Sequence, residues 1–96
     1  MAIVHFKHWT CNVVKRYYSN GRIALQLIQD GEPIAVATVN LPDIKLKKDE
    51  AIIKDYSENE GMLMALKNAG LIKKEIGTVQ SGFVTCPVVQ FNMDVI

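Results

Sequence analysis

The chain has 96 residues, 49% of them hydrophobic and 22% charged, with a formal net charge of +1. That length holds one domain with one modest core, and the composition lies far from the disordered class. The near-neutral balance supplies no basic excess to drive phosphate binding and no acidic excess to imitate nucleic acid, and no apolar run approaches the roughly 18 residues of a membrane span.

The first residues, Met1-Ala2-Ile3-Val4-His5-Phe6-Lys7, lack the order of a secretory leader, charges first and apolar stretch second. A cytoplasmic protein is therefore expected, with Cys11 and Cys86 as free thiols in a reducing compartment. A strand is plausible over 3–9. Residues 10–18 are rich in β-branched and aromatic side chains, and Ser19-Asn20-Gly21 follows. Asn-Gly is a strong hairpin signal, because a two-residue turn needs positive φ at both central positions. Over 22–29 the pattern alternates, with Ile23, Leu25 and Leu27 on one face, as in a strand with one face more buried. Asp30-Gly31-Glu32-Pro33 is a second turn, and 34–39 a third strand. The small Ala35 and Ala37 of that strand suggest close cover by another element. Pro42 stops it, since proline cannot donate into a ladder.

Lys45, Lys47, Lys48, Asp49 and Glu50 form a solvated connector, and 51–54 a short strand. A helix is expected over 58–69. Ser57 and Glu60 have the spacing of a capping box, Met62, Leu63, Leu66 and Ala69 give an apolar stripe, and Gly70 with Leu71 fits a Schellman ending against Leu66. Further strands are expected at 76–80 and 83–91, the last at an edge or bulged because it contains Pro87. The fold class is α+β: an antiparallel sheet of about four to six strands with one main helix on a face. The expected core holds Ile23, Leu25, Leu27, Val36, Leu63, Leu66, Leu71 and Phe83.

Asp55-Tyr56-Ser57-Glu58-Asn59-Glu60-Gly61 concentrates polar groups. Asp55, Glu58 and Glu60 could do acid–base work if burial raised a pKa. Helix capping and the helix dipole account for Ser57, Glu60, Asp55 and Glu58 instead. Tyr56 and Asn59 are left over, beside a Gly61 whose cost suggests close approach of another backbone. The surface at Tyr56, Glu58 and Asn59 is the expected protein-binding site. His5, His8, Cys11 and Cys86 lack the paired spacing of a zinc site, so no metal is expected. Neither a nucleophile elbow nor a phosphate loop is present, so no catalytic residue and no cofactor is assigned. Arg16, Tyr17, Tyr18 and Arg22 could together stack on and neutralise a nucleic-acid single strand. An open sheet edge could pair with another chain, a second copy included.

Four blocks carry a family resemblance: Tyr18-Ser19-Asn20-Gly21-Arg22 with Ala24-Leu25-Gln26-Leu27; Gly31-Glu32-Pro33-Ile34-Ala35 with Ala37-Thr38-Val39-Asn40-Leu41-Pro42; Ile53-Lys54-Asp55-Tyr56-Ser57-Glu58-Asn59-Glu60-Gly61-Met62-Leu63; and Val79-Gln80-Ser81-Gly82-Phe83-Val84. The chain resembles an uncharacterised family of small proteins carried by phages and integrative conjugative elements of Firmicutes. The resemblance implies a bacterial cytoplasm and a mobile-element setting, and it transfers no site residues. Two functions are expected from different classes. The first is a non-enzymatic protein-binding accessory factor, acting on a host or element protein, for instance as an inhibitor of a host defence nuclease. The alternative is a single-stranded nucleic-acid-binding accessory protein of the element.

Overall fold

Among the described residues, 2–96, the computed structural model has eight strands and one α-helix. They run β1 (Ile3–Phe6), β2 (Trp9–Tyr17), β3 (Ile23–Gln29), β4 (Glu32–Val36), β5 (Thr38–Val39), β6 (Glu50–Ile53), α1 (Met62–Asn68), β7 (Ile72–Ser81) and β8 (Val84–Phe91). All strand pairs are antiparallel. The α+β class is the expected one, and the strands divide between two four-stranded sheets, ordered β1-β2-β3-β4 and β5-β6-β8-β7.

Ala37 joins the sheets. Its N–H donates to the Leu25 carbonyl of β3 at 2.8 Å, while its own carbonyl accepts from the Lys54 N–H at the end of β6, also at 2.8 Å. A regular strand residue sends both groups to one neighbour. Ala37 splits them, so the strand expected over 34–39 breaks into β4 and β5. Its side chain is fully buried, and small size is what that position demands. Thr38 secures the step: its hydroxyl accepts from the Leu25 N–H at 3.3 Å and lies 3.0 Å from the Tyr18 hydroxyl.

The main core lies between the sheets and α1. Ile23, Leu25 and Leu27 of β3 face Ala51 and Ile53 of β6, Val89 and Phe91 of β8, and Met62, Ala65 and Leu66 of α1. A smaller cluster on the other face of the second sheet holds Ile52, Cys86 and Val88. Leu41, Ile44, Leu46 and Tyr56 cover it, so the 40–49 connector alternates: its apolar residues pack down while Lys45, Lys47 and Lys48 face solvent. Arg22 fastens this connector. Its guanidinium donates to the carbonyls of Leu41 (2.7 Å), Pro42 (3.4 Å) and Ile44.

Two expected core residues lie outside. Val36 is 42% exposed because it pairs with Gln26 on the outward row of β3, while Ala35 beside it pairs with Leu27 on the core row. Phe83 is 105% exposed, since it belongs to the two-residue turn between the paired Ser81 and Val84 and points away from the sheet. The first hairpin also differs from expectation. Among 19–21 only Gly21 has positive φ (86°), and Tyr18 pairs with Arg22 around a three-residue loop. The turn with positive φ at both central residues is Asp30-Gly31, at 51° and 82°. Pro87 lies in β8, an interior strand, but the β6 pairing stops at Val88, which spares the missing donor a partner.

The helix is shorter than expected. Ser57–Asn59 forms a 3-10 turn, and α1 begins only at Met62. No capping box forms. Ser57 adopts φ 58° and Gly61 φ 93°, and neither Tyr56 nor Gly61 caps through a side chain. Asp55 does this work: its Oδ1 accepts from the Leu63 N–H, the second residue of α1, at 3.0 Å. Gly61 is explained by its φ and not by close approach, because a Cβ there would meet nothing within 4 Å. The ending is the Schellman motif expected, with Leu71 N–H to Leu66 carbonyl at 3.1 Å and Gly70 N–H to Lys67 carbonyl at 3.0 Å.

Replacing Ala37 with Leu should destabilise the protein by about 1–3 kcal/mol through overpacking at the crossover. Urea denaturation should show a lower midpoint, and an unchanged midpoint would mean that the crossover has room to spare.

Candidate functional site

The crossover leaves an open groove of about 670 Å³ beside it. Ile34, Val36, Val39 and Leu41 supply apolar surface. Tyr18, Lys54, Tyr56, Glu58 and Ser81 stand around it. β4 contributes because it is the edge of the first sheet, and the 54–59 segment because it leaves β6 next to Ala37.

The three residues expected to form a protein-binding surface all line this groove, but they differ in what they can offer. Asn59 is 2% exposed, and its Nδ2 donates to the Val36 carbonyl at 2.7 Å. It is spent on closing the outer edge of β4. Tyr56 is half-buried against the smaller cluster, with the Lys54 ammonium 5.6 Å from its ring centre. Glu58 has a side chain 64% exposed, paired with Lys54, and its carbonyl accepts from the Lys7 ammonium at 2.7 Å.

The Lys54 hydrogen bond holds the Glu58 carboxyl below its ordinary pKa, and the Glu58 hydrogen bond raises that of Lys54. A general acid needs the opposite shift, produced by burial. Glu58 and Glu60 are both exposed, so the acid–base reading of this stretch loses the condition it needs. Burial pushes the Cys11 and Cys86 thiols up. Both are buried, Cys11 in the main core and Cys86 in the smaller cluster, and both are free. Among the described residues no three His, Cys, Asp or Glu side chains come together in a way that could hold a metal ion.

The four residues considered for nucleic acid do not form one platform. The Tyr18 hydroxyl donates to the Thr38 carbonyl at 3.1 Å, and the Arg22 guanidinium is committed to the 40–49 connector. Arg16 donates through Nε to Gln26 across the β2–β3 pair at 2.8 Å. Tyr17, 60% exposed, and Tyr18 are strand neighbours and so project to opposite faces.

Sequence reasoning missed Lys54 and Thr38. The four-residue spacing of Lys54 and Glu58 was the available signal. Nothing local marks Thr38, whose partners are 13 and 20 residues away.

The fold is that of a small α+β protein with an open groove at its sheet junction. The chain belongs to the family described as a domain of unknown function (DUF4313), which matches residues 11–96. No curated protein and no solved structure matches it. No helix among the described residues is long and apolar enough to cross a membrane.

Two outcomes follow from these contacts. Asn59→Ala strands the Val36 carbonyl and should cost about 1–3 kcal/mol, seen as a fall in Tm of roughly 4–8 °C per kcal/mol. The Lys54–Glu58 pair should stabilise the fold only between the two shifted pKa values. The Glu58 pKa is lower folded than unfolded, so its contribution is complete above the unfolded value and vanishes as pH falls through the folded one. The Lys54 pKa is higher folded, so its contribution is lost as pH rises through that value. In an NMR titration, Lys54→Met should return the Glu58 carboxyl toward its ordinary pKa; no movement would mean that the pair does not hold it.

Proposed function

We propose that this protein is a non-enzymatic, protein-binding accessory factor of a phage or mobile element, and that the groove beside Ala37 is its contact surface. The observation that carries the reading is the composition of that groove. Val36 of β4, 42% exposed, and the half-buried Ile34 and Val39 lie beside Tyr56 and the Lys54–Glu58 pair, whose carboxylate end is exposed. Aromatic anchors next to apolar surface, with charges at the rim, are the usual anatomy of a protein contact. Tyr56 and Glu58 remain the contact residues, Lys54 joins them, and Asn59 holds the wall in place.

The resemblance to proteins of phages and integrative conjugative elements supports the setting, the cytoplasm of a bacterial host cell. In that setting the partner is a host or element protein, and disabling a host defence nuclease is the specific form this reading takes. The alternative, single-strand binding, retains Tyr17 alone, since Arg16 is its neighbour on β2 and projects to the opposite face. It predicts retention that falls steeply with salt.

Capture from host lysate with the tagged chain tests the proposal. A specific protein should be retained by the wild type. Retention should fall by roughly thirtyfold in affinity for Tyr56→Ala, the scale of an interface hot spot, and also fall for Glu58→Lys. No specific protein, or equal retention by both variants, would overturn it.

A further inference from the structure

Phe83 is the most exposed large apolar side chain among the described residues. It occupies the second central position of the 81–84 turn, after Gly82 with φ 59°. Glycine and small polar residues serve such turns, and nothing in the turn's geometry calls for a phenyl ring. Ser81, which closes the same turn, is part of the groove wall. Phe83 thus starts within about 7 Å of that wall, two residues along the chain.

We propose that Phe83 of one copy inserts into the groove of a second copy, and reciprocally, so that the free protein forms a two-fold symmetric dimer. A two-fold contact needs a patch complementary to itself. An apolar knob beside a groove whose walls include Ile34, Val36, Val39 and Leu41 is such a patch. The turn that carries Phe83 points it away from its own sheet, and the neighbouring copy offers the site that its own groove cannot.

Charge is compatible with this occupant. Gln80, Ser81, Gly82, Val84 and Thr85 flank Phe83 with no charged residue. The charges at the groove, Lys54 and Glu58, already pair with one another. Insertion therefore brings no like charge to the site and strips no charge of its partner. Size sets the strength. Each ring buries on the order of 150–250 Å², so the two rings together lie below the roughly 1,200 Å² of a stable interface. The dimer is weak and reversible, and it leaves the groove accessible at low concentration. Two of the four sheet edges, β7 and β4, are poorer routes to a dimer. β7 carries Lys73, Lys74 and two register shifts, and β4 carries Pro33, all features that oppose edge pairing.

Sedimentation velocity on the purified chain, over a range of concentrations, tests the dimer. The wild type should show a concentration-dependent monomer–dimer equilibrium. Phe83→Ser should weaken it by roughly tenfold or more in dissociation constant, with an unchanged far-UV spectrum and Tm, because the ring touches nothing in the monomer. Val36→Asp, on the groove side, should weaken it as well. A wild type that stays monomeric at every concentration, or a dimer that Phe83→Ser leaves at the wild-type constant, would overturn the proposal. No host protein is present in this measurement, so its failure is distinct from failure of the partner-binding reading.

Discussion

The rest of the structure depends on the divided hydrogen bonding of Ala37. One residue gives its N–H to β3 and its carbonyl to the chain leaving β6, so two small sheets become one packed unit. Either sheet alone would leave its apolar face without a second layer to cover it. Joined at Ala37, the inner row of β3 meets β6, β8 and α1 in a single cluster. Ala37 is fully buried there, and Val36 before it lies on the outward face of β4, paired with Gln26. The groove is the outer side of that junction. Its apolar surface is the consequence of the crossover and not a separate construction.

The polar groups around the groove divide by what they are already holding. Tyr18 and Thr38 satisfy each other and the backbone of β3 and β5. Arg22 holds the connector that covers the smaller cluster. Asn59 closes the β4 edge at Val36. A buried polar group released from such duties leaves an unsatisfied partner behind, which is costly. These residues therefore belong to the fold. The side chains of Lys54 and Glu58 pair only with one another and with the Tyr56 ring, which rests on the smaller cluster, so their outer faces are open at the groove.

The antiparallel α+β class, the inner face of β3, the ending of α1 and most strands were legible in the sequence because each is written in local pattern: period two, stripe spacing, and a glycine followed by a leucine. The helix start was misread for a physical reason. Ser57 and Glu60 carry the letters of a capping box, but Gly61 in the left-handed region breaks the segment, and Asp55 reaches the first turn of α1 from eight residues before Leu63. The split at Ala37 and the duties of Arg22 and Tyr18 rest on partners some 12–22 residues away, which no local rule reports. Phe83 was placed in the core as the first residue of the strand expected over 83–91; β8 begins only at Val84, and the two-residue turn sends Phe83 outward. The surface around Tyr56 is proposed by subtraction, and subtraction does not see that Asn59 is already spent on the Val36 carbonyl.

Native-state hydrogen exchange tests the central claim most directly. If Ala37 makes the two sheets one cooperative unit, the amides of Leu25, Ala37 and Lys54 should share a single opening free energy close to that of global unfolding. An opening of Lys54 and its β6 neighbours at distinctly lower free energy than Leu25 would mean that the second sheet unfolds by itself, and that the crossover does not join them.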